Sequence, residues 1–149
     1  MRMTIVAVGR AKAGPERDLV QHYLKRMAQP LDLKEVEAKA ANDAKRSEGE
    51  KLLAAAPKDA VIVALDERGK ELSSRQLADR IAGWRDDGIR DIVFLIGGAD
   101  GLDGRVRERA DLLLSFGRVT WPHMLMRGML AEQIYRAQCI LAGHPYHRD

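Results

Sequence analysis

One cysteine, Cys139, stands in 149 residues, which excludes an internal disulfide framework and a multi-thiolate metal site. Long hydrophobic runs are missing too. Stretches such as Ile92, Val93, Phe94, Leu95 and Ile96 are a handful of residues long, against the roughly 20 that a membrane-crossing helix needs. Residues 1–9 hold too little apolar sequence for the hydrophobic region of a signal peptide and are followed by charged residues rather than a small-residue cleavage site, so they read as a strand of the mature protein. With the lone thiol, this predicts a reducing, cytoplasmic setting and no membrane contact. No HExxH, CxxC, GxSxG or paired-carboxylate signature occurs, which leaves metalloprotease, dithiol-redox and serine-hydrolase readings without support and predicts no metal. Aromatic residues are scarce, at 5%.

What is present is an ordinary globular composition, 46% hydrophobic and 32% charged, enough to bury a core within one domain spanning 1–149. The formal net charge is +3, and the two ends of the chain lean basic while the middle leans acidic. That balance permits a nucleic-acid partner without demanding one, because committed electrostatic binders carry a dense basic patch.

Along the chain, strand-like and helix-like stretches alternate. Residues 3–9 form a short apolar strand, and residues 16–28 place Leu19, Tyr23, Leu24 and Met27 at helical spacing before Pro30. Residues 31–38 alternate as a half-buried strand. Asn42 or Asp43 caps a helix running to Ala56. Residues 60–65 and 92–96 are uniformly apolar, as in strands covered on both faces; the first precedes a charged turn at 66–70, the second Gly97 and Gly98. Ser73 or Ser74 caps a helix through Trp84, Asp103 starts a short helix, Leu112 to Ser115 form a short strand, and Pro122 opens a last helix to Leu141, with Thr120 or a neighbour as its cap. The order βαβαβαβαβα predicts an α/β fold with a mostly parallel sheet flanked on both faces by helices.

Open parallel sheets bind ligands beyond the carboxyl ends of their strands, which points to residues 65–70 and 97–104. The second loop lacks the G-x-G-x-x-G spacing and a P-loop lysine, so a pyrophosphate cradle is not expected, and its glycines suit either close approach to a flat ligand or a plain turn. His123 falls in the first turn of the last helix, where the positive end of the helix dipole favours neutral imidazole; a purely structural histidine is the competing reading. Tyr146, His147 and Arg148 crowd a tail that offers stacking, proton exchange and a guanidinium. In the last helix, Leu125, Met126, Met129, Leu130, Ile134, Ala137, Ile140 and Leu141 make a stripe covering about half the circumference. That is wider than one core requires, and it predicts either a second copy across a two-fold axis or further core packing. Gly128 interrupts this helix at a cost of about 1 kcal/mol unless close packing needs it.

The segments LDERGK at 65–70, LIGGADGL at 95–102, PHMLMR at 122–127, LAEQIYRA at 130–137 and HPYH at 144–147, taken together and in this order, make a chain that resembles the RlmH family over residues 3–149. These are SPOUT-class methyltransferases that modify a pseudouridine in bacterial 23S ribosomal RNA. The resemblance implies an α/β-knot with a C-terminal trefoil, a homodimer, and S-adenosyl-L-methionine held by Leu65, Gly97, Phe116, Gly117, Arg118, Val119, Thr120 and Trp121. It further implies N3 methylation of a pseudouridine in the assembled 70S ribosome, with no DNA partner. Methyl transfer from a sulfonium needs no metal, only positioning and loss of the acceptor's imino proton. His123, Tyr146, His147 and Arg148 are the candidates for orienting the base and removing that proton, and histidine, with a reference pKa of about 6.5, suits the second task better than tyrosine at about 10. The rival expectation is a catalytically inert RNA-binding module.

Overall fold

The computed structural model describes residues 1–37 and 43–149. Its elements are β1 (Arg2–Val8), α1 (Pro15–Leu24), β2 (Leu31–Val36), α2 (Ala44–Ala54), β3 (Val61–Glu71), α3 (Ser74–Asp86), β4 (Asp91–Ile96), α4 (Gly104–Arg109), β5 (Leu112–Ser115) and α5 (His123–Ala142). The expected alternation of strands and helices is therefore the observed one. The strands form one sheet in the order β2-β1-β4-β3-β5, and every pairing is parallel.

Two-residue periodicity sorts the strand side chains onto the two faces. Met3, Ile5, Ala7, Val61, Val63, Leu65, Ile92, Phe94 and Ile96 point to one core. Val6, Val8, Ile62, Ala64, Val93 and Leu95 point to the other. Helices α3 and α5 cover the first face with Leu77, Ala78, Ile81, Leu130, Ile134 and Ala137, and α1 packs against α5. Leu52 of α2 and Val106 of α4 cover the second. The central strands β1, β3 and β4 are covered on both sides, which explains why 60–65 and 92–96 show no polar alternation.

Several local expectations are corrected by tertiary contacts. β3 does not stop at Leu65 before a turn. It continues through the charged residues to Glu71 and rejoins β5, with Lys70 opposite Leu114 and Glu71 opposite Ser115 after an irregularity. A Cβ on Gly69 would lie 2.6 Å from the carbonyl carbon and oxygen of Leu113, so only glycine allows that approach. α1 ends at Leu24, short of residue 28. Ser73 caps α3 with a capping box shared with Gln76, and Asp103 caps α4. Asp43 precedes α2 without a side-chain cap bond, while Asn42, the other candidate, and Ala38 lie outside the described residues. The start of α5 has no side-chain cap, because Pro122 occupies the N-cap position; Thr120, two residues earlier, donates its hydroxyl to Glu67 Oε2 at 3.0 Å.

The wide stripe of α5 is largely accounted for within one chain. Leu130, Ile134 and Ala137 face the sheet, and α1 and α3 flank the helix on either side. Gly128 lies where α1 and α5 touch: a Cβ there would fall 2.8 Å from Leu19 Cγ and closer still to its Cδ2. The helix-breaking residue is thus the one the crossing requires. Replacing it by alanine gains about 1 kcal/mol of helix propensity but forces Leu19 from its rotamer and the helices apart. Gly128→Ala is therefore expected to destabilise the protein by about 1–3 kcal/mol net, read as a lower urea midpoint; a higher midpoint would contradict this packing.

Candidate functional site

The carboxyl ends of β3, β4 and β5 open into one cavity of about 590 Å³, within the range of small-molecule sites. Three loops build it. The continuation of β3 supplies Leu65, Asp66, Glu67 and Arg68; the loop after β4 supplies Gly97, Gly98, Ala99, Asp100, Gly101 and Leu102; and the connection from β5 to α5 supplies Phe116, Gly117, Val119, Thr120 and Trp121. His123 and Met126 of α5 close one wall, and Lys45 of α2 reaches the rim.

Hydrogen bonds lock the first and third loops together. Ser115 Oγ lies 3.1 Å from the Glu67 carbonyl oxygen and accepts from the Gly117 N–H at 3.1 Å, and Thr120 binds Glu67 as above. Trp121 Nε1 donates to the Phe116 carbonyl at 3.2 Å, turning the segment back on itself while the indole stays 39% exposed. The second loop is closed by a bond from Gly101 N–H to Gly98 O at 3.0 Å. A Cβ on Gly97 would lie 2.8 Å from the Gly101 oxygen. Glycine at 97 is thus demanded by the loop's own backbone, ahead of any ligand.

The wall carries both signs of charge. Burial raises the Asp66 carboxyl, but Arg68, bound through its Nε at 3.2 Å and its backbone N–H at 2.9 Å, outweighs burial and holds it below the usual range. His123 is pushed down, first by burial and then by the Arg127 guanidinium, with Glu48 of α2 acting in the opposite sense. Lys45, Asp66, Glu67, Arg68, Asp100 and Met126 were missing from the sequence-based set. The acidic residues lie inside the two loops it marked, whereas Lys45 comes from a helix with no motif to flag it.

Of the expected cofactor residues, Leu65, Gly97, Phe116, Gly117, Val119, Thr120 and Trp121 line the cavity, and so does His123. Arg118 faces the other side of the β3 continuation, beside Glu67, Arg68 and Glu71. The tail residues are not brought to the cavity within one chain. Tyr146 donates to Glu132 Oε2 at 2.7 Å, packs edge-on against Tyr135 and lies under the Arg136 guanidinium. His147 contacts Arg136 through Nδ1 at 3.1 Å and Asp149 through Nε2 at 2.9 Å, and Asp149 pairs with Arg75 of α3. Glu132 is nine residues beyond His123, about 13 Å along the helix axis. Burial and then Glu132 push the Tyr146 phenol up, so it serves as a donor and not as a base near neutral pH.

Comparison with known proteins agrees with this architecture. Residues 1–147 match a family described as predicted SPOUT methyltransferase. The chain is 62% identical over 151 residues to the ribosomal RNA large subunit methyltransferase H of Rhodospirillum centenum, covering 99% of both chains. It is 58% identical to the protein of the same name from Paramagnetospirillum magneticum, again over 99% of each. A probable methylase family protein from Haemophilus influenzae shares the fold, with a TM-score of 0.59 at 12% identity over 99% of this chain and 70% of that one.

The loop geometry makes a direct prediction. Gly97→Val must open the turn between residues 97 and 101, so stability should drop by about 1–3 kcal/mol together with affinity for any ligand of the cavity. Affinity lost with no change in unfolding midpoint would instead mark Gly97 as a ligand contact alone.

Proposed function

The chain belongs to the SPOUT methyltransferase family and is a ribosomal RNA large-subunit methyltransferase, and from that premise we propose that the cavity holds S-adenosyl-L-methionine and that the acceptor is N3 of a pseudouridine in 23S ribosomal RNA of the assembled 70S ribosome. The observation that carries this reading is the cavity where the continuation of β3 meets the loops after β4 and β5, with His123 in its wall.

The residues present suit that donor. Leu65, Ile96, Leu102, Leu114 and Phe116 offer apolar walls for an adenine ring, and the backbone of 97–102 and 116–121 offers amides and carbonyls for its edge. Asp66, Glu67 and Asp100 line the cavity as partners for a cationic group, and Lys45 at its rim as one for a carboxylate. S-adenosyl-L-methionine supplies, when bound, a methyl carbon on a sulfonium, whose electron pair stays on sulfur as the acceptor nitrogen bonds to carbon. The protein contributes positioning of donor and acceptor. Arg118, outside the cavity, and the cavity-lining Val119 are exposed; Arg118 suits RNA phosphate better than the donor.

Residues 1–149 act as one catalytic domain in the cytoplasm, and the bonds of Ser115 and Thr120 to Glu67 are the contacts expected where a C-terminal trefoil draws tight. Tyr146, His147 and Arg148 serve the acceptor RNA. Their distance from His123 in the same chain favours a homodimer, in which a second copy carries its tail to this cavity. Deleting residues 146–149 is then expected to lower methyl transfer by about 100-fold while S-adenosyl-L-methionine affinity stays within a few-fold.

The test is to incubate intact 70S ribosomes and free large subunits with methyl-labelled donor and identify the modified nucleoside by mass spectrometry. N3-methylpseudouridine from 70S particles is the expected product. Label in another nucleoside, or none in either particle, would overturn the reading.

A further inference from the structure

His123 is the first residue of α5, and its two ring nitrogens live in different surroundings. Nδ1 is shut off from solvent and has no hydrogen-bond partner among the described residues. The ring nevertheless lines the cavity, so the edge bearing Nε2 is the one a ligand can meet. A neutral imidazole carries a single N–H. Placing it on Nδ1 would strand a buried donor, whereas a bare lone pair there is tolerated better, as under-satisfied acceptors generally are.

The charged groups around the ring decide whether it is neutral at all. Arg127 follows it by one turn on α5, at the i+4 spacing that brings side chains together. Arg127 is buried and held by the Val8 and Gly9 carbonyls and by Glu35, so its charge cannot swing away. The free amides at the start of α5 act in the same direction. Glu48 of α2 opposes them; its carboxylate lies against Gly98, where a Cβ would fall 3.1 Å from Oε1. Burial adds to the side of Arg127, and the balance keeps the ring's titration below its ordinary value.

We infer that His123 acts on the acceptor base as a neutral Nε2–H hydrogen-bond donor to a carbonyl oxygen beside the methylated nitrogen, and not as the group that removes the proton. This rests on the reading of the acceptor as a uracil-type imide. Its N3 lies between two carbonyls, and when the N3 proton leaves, the negative charge spreads onto both oxygens. A fixed Nε2–H directed at one of them stabilises that anion, in the manner of a neutral imidazole at a helix start used as an electrophile. The proton passes to solvent water, and the nitrogen's freed electron pair forms the bond to the methyl carbon. Histidine thereby supplies electrostatic stabilisation that needs no protonation change through the reaction.

Two measurements test this. In protein labelled with ¹⁵N-histidine, the His123 resonances should report Nε2 protonated and Nδ1 bare at pH 7, with the ring more than half neutral at pH 6.5; a protonated Nδ1 or an imidazolium at pH 7 overturns the inference. This readout needs no RNA, so it stands even if the proposed acceptor is wrong, whereas failure to methylate any ribosomal particle sinks the acceptor reading and leaves the ring's state decided. The second measurement compares variants shown by calorimetry to fold and bind S-adenosyl-L-methionine. His123→Leu should lower kcat by about 10²–10³-fold. His123→Gln, which keeps an N–H near the Nε2 position but takes no proton at neutral pH, should restore activity to within about tenfold of wild type, with the same pH–rate slope. A glutamine variant as inactive as the leucine one shows that the imidazole is needed as a base.

Discussion

The buried guanidinium of Arg127 is the contact on which the rest of the arrangement depends. It is 1% exposed, and it crosses from α5 to the carboxyl ends of β1 and β2, donating to Val8 O at 3.1 Å, Gly9 O at 2.8 Å and Glu35 Oε2 at 2.6 Å. Taking a charge out of water costs several kcal/mol, which these three acceptors, one of them a carboxylate, offset, although the Arg127 Nε–H is buried without a partner among the described residues. Burial raises the Glu35 carboxyl, yet the Ala11 N–H and Arg127 together pull it below the usual range. The pair therefore stays ionised at neutral pH. Its stabilisation is complete above the ordinary carboxylate pKa and is lost as pH falls through the lowered value. Because these bonds pin the second turn of α5, they also set where His123 stands, one turn earlier, and impose a fixed positive charge beside it. A single residue thus couples the C-terminal helix to the sheet and the sheet to the chemistry.

The rest of the site follows from where loops can meet. Strands β4, β3 and β5 lie side by side in the sheet, with β3 between the other two. Their parallel directions bring the segments beyond their apolar cores to one side of the sheet, so three stretches distant in sequence enclose a common space. Ser115 and Thr120 bind the third loop to Glu67 of the first, while Gly97 and Gly101 fold the second tightly enough to leave room. Glycine at 97 is required by the loop packing against itself, and glycine at 101 by a backbone φ of +81°. The ligand inherits the space that results.

How much of this was legible depended on whether the determining contact was local. Strand cores at 60–65 and 92–96, the caps at Ser73 and Asp103, and the helix start at Pro122 rest on neighbours in sequence, and each is observed as read. The charged stretch at 66–70 reads as a turn because its partner, β5, lies more than 40 residues away, and only that partner makes it a strand. Thr120 reads as a cap, but Pro122 takes the N-cap position and Thr120 lies two residues earlier, bound to Glu67. The stripe on α5 states correctly that the helix is surrounded but not by what, since α1 and α3 satisfy much of it within the chain. Lys45 and Glu48 sit on α2 with no pattern to single them out, and the distance between the tail and His123 is set by the length of α5 rather than by any motif. Most of the expected cofactor positions line the cavity; Leu65 and Gly97 fall on the stretches that strand periodicity had marked, whereas those at 116–121 came from family resemblance alone.

The central claim is that one cavity, formed by the continuation of β3 and the loops after β4 and β5, holds the methyl donor. The most direct measurement is a backbone amide NMR titration with S-adenosyl-L-methionine. Shifts confined to residues 65–68, 97–102 and 116–123, saturating at one donor per cavity, are the result the account predicts. Shifts concentrated elsewhere, as in the groove between α1 and β2, or an absence of binding, would contradict it.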